Sequence, residues 1–371
     1  MNTGIENLAW GLAERGFHIH ILSGGSLPEC HGYQFPDAVI YHFTKNPGAP
    51  GDHITKYLSL RELYNFDIVV GWIKNLYPLV SADASISGRP KFIANEGQIT
   101  SRISQFVFIK FLASLNHAFK VRGFSVSQFQ FGCRSAKSLG RSVDYVVAIS
   151  EVVGQCARRV YGVDERHVRV IPRGVDVNVF RPGNIDRNSF VSGRPRLIFT
   201  GNVAESKGLG DVVDALALLE ESVDWVICGK DQGYLSIIRR RLKGLKGKHQ
   251  LIYLGTLSQE ELVLELQSSD IFVFPSWSEG LGKSLLEAMS CGLPVVVSDI
   301  MAFDGIVSSG LNGTMVRRKS PSSIADALLS YLNNGALRVT HGCNARQKIE
   351  REFSRCSEVN SWSSLIDDVT H

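Results

Sequence analysis

Two glutamates eight positions apart, Glu279 and Glu287, flank a glycine-rich turn within the stretch WSEGLGKSLLEAMSCGLPVVVSD at residues 277–299. A carboxylate accepts hydrogen bonds from vicinal hydroxyls, and the N–H groups that open a helix favour an anion such as phosphate. The turn that separates the two acids, with Gly282, Lys283, Ser284 and Leu285, is expected to leave such N–H groups free. The elements that must position this chemistry are legible around it. Residues 271–274 are an apolar run stopped by Pro275, which reads as a buried strand, and Gly292-Leu293-Pro294 ends the helix before a second strand at 295–298. Strand, turn, helix and strand make a βαβ unit, in which one acid leaves the strand end and the other sits about two turns into the helix.

The rest of the chain bounds what such a site can belong to. With 371 residues, 44% hydrophobic and 20% charged, it has the composition of a folded globular protein with room for two domains. Its seven cysteines are scattered, odd in number and without a C-x-x-C pair, so neither a zinc ribbon nor a disulfide framework is suggested. No signal peptide or membrane-spanning run is read, and a reducing, cytoplasmic location is expected. Net charge is a mild +4. Its distribution is uneven: residues 97–142 lack any Asp or Glu, while Arg102, Lys110, Lys120, Arg122, Arg134, Lys137 and Arg141 interrupt a stretch rich in Phe and Leu. That pattern fits either an amphipathic surface on anionic lipid or a solvated basic face over an ordinary core.

Strand and helix patterns alternate throughout, as in α/β folds with parallel sheets. In the first half a helix is expected at 5–15, with strands at 18–22, 68–70, 91–94 and 145–149. Ser150 then caps a helix, and a short strand comes next at 168–172. Residues 174–193 read as a linker rich in Gly, Pro, Asn and Asp. A second series has strands at 196–200, 225–228, 250–254, 271–274 and 295–298. Two doubly wound Rossmann-like domains are therefore expected, 1–178 and 179–371, facing a central cleft at the carboxyl ends of the strands. The last helix could pack back on the first domain. A doubly wound domain ordinarily opens with a central strand, whereas this sequence goes straight into helix; either that strand lies upstream or the domain lacks it.

These residues resemble the retaining glycosyltransferases of the GT-B fold, in particular glycosyltransferase family 4 (group 1). That family carries two glutamates separated by seven residues, which Glu279 and Glu287 match. Four further stretches agree in order: TGIENLAWGLAERGFHIHIL at the start, DYVVAISE at 144–151, VIPRGVDVNVFRP at 170–182 and FTGNVAESKG at 199–208. The resemblance implies transfer of a hexose from a nucleotide sugar to a glycan or lipid-linked acceptor, with retention of configuration and without a metal or other cofactor. Phosphate charge must then be met by cations and aimed N–H groups, and the chain contains no Asp-x-Asp pair. No nucleic-acid partner is implied.

By the same resemblance Lys207 would meet the diphosphate, Glu279 would lie by the transferred sugar and Glu287 would accept from the ribose. Gly280, Leu281, Gly282, Lys283, Ser284 and Leu285 would line sugar and phosphates, and Gly4 would stand in a glycine-rich loop of the first domain. The pattern is broken at three places. Asn202 replaces an Arg, with Lys230 or Lys283 as substitutes for its charge; Glu96, in ANEGQ, stands where a His is common; and Asp304-Gly305 replaces a Pro-Glu pair. Two readings other than transfer remain: a non-catalytic GT-B-like nucleotide-binding or scaffold protein, and a nucleotide-sugar epimerase.

Overall fold

A computed structural model of the chain describes residues 3–23, 39–43, 52–64, 66–71, 91–96, 144–184, 194–245 and 248–370. The acid-free basic stretch at 97–142 lies outside them. The chain divides into two compact units, Met1–Arg173 together with Arg355–His371, and Gly174–Ser354. The division falls slightly before the expected 178/179 boundary, and the C-terminal segment joins the first unit rather than the second.

The first unit begins with α1 (Thr3–Ala13), followed by β1 (Ile19–Ser23), β2 (Val39–Phe43), α2 (Asp52–Leu63), β3 (Ile68–Gly71), β4 (Lys91–Glu96), β5 (Tyr145–Ala148), α3 (Glu151–Cys156) and β6 (Val168–Val170). Strands β3 to β6 run parallel in the order β3-β4-β5-β6, and β1 pairs in parallel with β2. Ser150 caps α3 by accepting from Val153 N–H, as the sequence suggests. The C-terminal segment belongs here because of what it buries. Val359, Trp362 and Leu365 share one core with Leu12, Ile93, Val147 and Ile171. Covering side chains of this size contributes roughly 1.5–3 kcal/mol each, which holds a helix to whichever sheet supplies the partners.

The second unit is one parallel sheet in the order β12-β11-β10-β7-β8-β9. Its strands are β7 (Arg196–Thr200), β8 (Asp224–Cys228), β9 (Gln250–Gly255), β10 (Ile271–Phe274), β11 (Val295–Ser298) and β12 (Thr314–Val316). Every residue of β10 and β11 is buried, which explains their unbroken apolar sequences: helices cover both faces of a parallel sheet. The helices are α4 (Leu209–Leu216), α5 (Leu235–Lys243), α6 (Gln259–Gln267), α7 (Lys283–Ser290), α8 (Pro321–Leu332) and α9 (Gly335–Glu352). After it comes α10 (Arg355–Thr370), the helix that joins the first unit. Start signals are explicit in several of them. Ser258 and Glu261 form a reciprocal capping box on α6, and Pro321 occupies the first turn of α8. Strand order places β7 beside β10 although β8 and β9 come between them in sequence, and the carboxyl ends of these two parallel strands therefore meet.

Candidate functional site

Two βα turns open side by side at the carboxyl ends of these central strands. After β7 the chain makes a 3₁₀ turn, Glu205–Lys207, and Gly208 starts α4 at φ 69°. After β10 it passes through Pro275 to Leu281, and Gly282 starts α7 at φ 81°. Both glycines sit in the left-handed region, and neither cap supplies a side-chain acceptor to the opening N–H groups. A Cβ on Gly208 would stand 2.1 Å from the Pro275 carbonyl oxygen, so the two turns touch through backbone. Of the N–H groups expected to be free between Gly282 and Leu285, that of Leu285 is not: it donates to the Gly282 carbonyl at 2.9 Å.

The predicted side chains meet in pairs. Lys207 Nζ donates to Glu279 Oε1 at 2.5 Å, with side-chain exposures of 22% and 12%. The same ammonium lies 5.8 Å from the centre of the Phe274 ring, a cation–π contact. Lys283 Nζ lies 2.9 Å from Glu287 Oε1 across one helical turn, the lysine 60% exposed and the glutamate 7%. Burial pushes the Glu287 carboxyl above its ordinary range, and the adjacent Lys283 charge offsets part of that rise. Leu281, Gly282 and Leu285 are buried, while Gly280 and Ser284 are partly accessible.

Asn202 is exposed just beyond β7, beside the exposed Lys230 that comes after β8. The two segments are joined by Val203 N–H donating to the Lys230 carbonyl at 2.9 Å. Lys230 is thus next to the position where Asn202 lacks a charge. Asp304-Gly305 is an exposed pair after β11. Gly4 and Glu96 belong to the first unit. Gly4 is helical within the first turn of α1, which corrects its expected place in a loop, and Glu96 closes β4.

Sequence reasoning overlooked Trp277, although it lies inside the opening motif. Its backbone N–H donates to Ser206 O at 2.9 Å and its Nε1–H to Asp211 Oδ2 at 2.8 Å. Its carbonyl accepts from Arg318 at 3.3 Å, and Lys319 Nζ sits 3.9 Å from its ring centre. Lys319 is the one non-glycine residue at positive φ, 58°, among the described residues. Trp277 therefore ties the lysine-bearing turn, the start of α4 and the segment after β12 to the strand end that carries Glu279. The available signal was a large aromatic in a turn next to a charged motif, a residue type that needs a partner for its N–H when covered.

The family described as "Glycosyl transferases group 1" matches residues 181–348, and "Glycosyltransferase Family 4" matches residues 115–179. The chain belongs to the group 1 glycosyltransferases. An uncharacterized glycosyltransferase of Methanocaldococcus jannaschii is 27% identical over 63% of the chain and 61% of its own length. A D-inositol 3-phosphate glycosyltransferase of Corynebacterium glutamicum is 27% identical over 56% of the chain. The alignments span 61% and 53% of these two relatives, short of their full lengths. Among solved structures, sucrose-phosphate synthase from Thermosynechococcus elongatus superposes with a TM-score of 0.75 at 18% identity, covering 99% of this chain and 93% of that one. Anabaena HepE, solved in complex with UDP and glucose, gives 0.72 at 19% identity, covering 99% and 95%. At such identities the likeness shows the fold: two Rossmann-like α/β units with parallel sheets, of the GT-B class.

Proposed function

We propose that this group 1 protein transfers a hexose from a nucleotide sugar to a glycan or lipid-linked acceptor, with retention and without a metal, in the synthesis of a polysaccharide or glycoconjugate. The observation that supports it best is the paired arrangement at the carboxyl ends of β7 and β10: two left-handed glycine caps, each with a lysine next to it and a glutamate bonded to that lysine. Lys207 and the opening N–H groups of α4 and α7 suit a diphosphate, which gains charge as the sugar departs. Glu287, buried at the floor, suits two vicinal ribose hydroxyls, and Glu279 suits the sugar. HepE was solved with UDP-glucose, which makes a uridine donor the first to try.

In this reading Glu96, which closes β4 in the first unit, serves the acceptor. The protein works in the cytoplasm, at the inner face of the membrane, with the basic stretch at 97–142 meeting anionic lipid. Among the described residues no helix is long and apolar enough to cross a membrane.

The test is to incubate the purified protein with UDP-, GDP- and ADP-hexoses in EDTA and follow release of nucleoside diphosphate, then repeat with Glu287→Ala. Turnover that persists in EDTA and falls at least about 100-fold in the variant is expected, the size of losing one aimed polar group from such a site. Turnover abolished by EDTA, or untouched by the substitution, would sink the mechanism. Nucleotide binding without release of diphosphate on any acceptor would instead favour the scaffold reading that Asn202 motivates.

A further inference from the structure

Resting on that reading, we infer that Glu279 is a specificity element that makes the site discriminate between intact nucleotide sugar and the bare nucleoside diphosphate left after transfer. Lys207 is held from two sides, by Glu279 Oε1 at 2.5 Å and by the face of Phe274. Both members of the ion pair are largely covered, so solvent and salt screen it weakly. A ligand that draws the ammonium onto phosphate weakens its hold on the Glu279 carboxylate, which then needs another donor.

The two ligands differ in what they can return to that carboxylate. An intact nucleotide sugar brings hydroxyl groups, which donate hydrogen bonds and replace the lost ammonium. A bare nucleoside diphosphate brings none at its terminal phosphate. That phosphate also carries an additional negative charge, which meets the orphaned carboxylate at close range as like charge meets like. Leaving a covered charge unpaired is the unfavourable outcome, so the pair resists the product and yields to the substrate. The neighbouring Lys283–Glu287 pair cannot act this way. Its lysine is mostly in water, and the ribose hydroxyls that Glu287 would accept from are present in both ligands, so releasing that lysine affects the two equally.

The test is calorimetric titration of the full chain with UDP, GDP and ADP and with their hexose conjugates, on the wild type, Glu279→Gln, Lys207→Met and the double variant. Glu279→Gln is expected to bind the matching nucleoside diphosphate about 10-fold more tightly while its affinity for the nucleotide sugar stays level or falls. In the Lys207→Met background the gain should shrink, because there is no ammonium to release and only the like-charge repulsion between carboxylate and phosphate is left for the substitution to relieve. Glu279→Ala repeats the measurement with a residue that makes no hydrogen bond at all, and should show the same direction. Equal tightening for both ligands, a gain undiminished without Lys207, or no gain would overturn the inference while leaving the nucleotide-sugar reading intact. Failure of every nucleotide to bind the wild type would overturn that reading and this inference with it.

Discussion

The turn around Gly208 and the turn around Gly282 are built alike and behave differently. Each comes after a buried strand, each has a left-handed glycine cap, each opens an eight-residue helix, and each has a lysine next to the glycine. Lys207 stands before its glycine and reaches across to Glu279 on the other turn, 72 residues away. Lys283 stands after its glycine and reaches down its own helix to Glu287. The first pair is a tertiary crosslink that exists only when β7 and β10 are neighbours. The second forms wherever the helix forms, and its role is to sit over an acid that the sheet has already buried. Placement of a lysine one residue before or after a glycine thus decides whether its charge links two elements or shields one.

The comparison breaks most visibly in turnover. Lys207→Met should lower the rate of nucleoside diphosphate release by about 10²–10³-fold, since it removes the cation that links both turns. Lys283→Met should cost far less under the same assay. Equal losses would mean that the two lysines share one role. Stability separates the glycines next. Gly208→Ala forces an L-residue to φ 69° and drives its Cβ to 2.1 Å from a backbone oxygen, so about 2–4 kcal/mol is expected from strain and displaced backbone together. At Gly282 the nearest atom to an added Cβ is Phe303 Cε1 at 2.9 Å, on a fully buried ring rather than a backbone oxygen, so the clash is milder and the expected loss is about 1–3 kcal/mol. Urea denaturation of both variants reads the difference directly, and a Gly282 variant less stable than the Gly208 variant would reverse the argument.

The same contrast marks how far the sequence can be read. Strands β7, β10 and β11 fall where their short apolar runs predict, because a parallel strand buried on both faces has nothing else in its composition. Strands β2 and β12 were overlooked. β12 has three residues and is only partly covered, so it carries no periodic signal, whereas β2, VIYHF, is as long as β7 and has a strand-like composition that could have been read. α1 runs over Thr3–Ala13 rather than 5–15: Glu14 and Arg15 fall in the turn that Gly16 completes at φ 89°. Glu287 and Lys283 are four apart, so a helix assignment alone brings them together. Nothing in local spacing brings Lys207 to Glu279, or Trp277 to Asp211. Those contacts depend on strand order, which pairs β10 with β7 out of sequence, and on a turn geometry set by tertiary packing.

Burial of Glu287 also has a sign that can be checked. Its folded carboxyl titrates above its unfolded value, so between those two values the folded state binds more protons than the unfolded chain. Stability from this group is therefore fullest below the unfolded value and is lost as pH rises through the folded one. Glu287→Gln removes the buried charge, and should raise the melting temperature at pH 7 while losing that advantage as pH is lowered toward the ordinary carboxylate range. A variant that melts lower at pH 7 would show that the Lys283 pairing outweighs desolvation.

The smallest effect is the sharpest probe of the local pair. Lys283 is mostly exposed but its partner is buried, so Lys283→Met should cost about 1 kcal/mol of folding stability, between the about 0.3–0.5 of a fully exposed helical pair and the larger cost of stranding a buried charge. Its charge nevertheless favours the ionised form of Glu287, which is the form able to accept from two hydroxyls. Without that charge the carboxyl moves further up. The acid limb of the kcat/KM profile against pH should then shift to higher pH in Lys283→Met, while Lys283→Arg, which keeps the charge, should hold the wild-type limb. An acid limb that stays in place in Lys283→Met would mean that Glu287 works in its protonated form, donating to the ligand rather than accepting from it, and that the lysine above it serves only the solvent side of the helix.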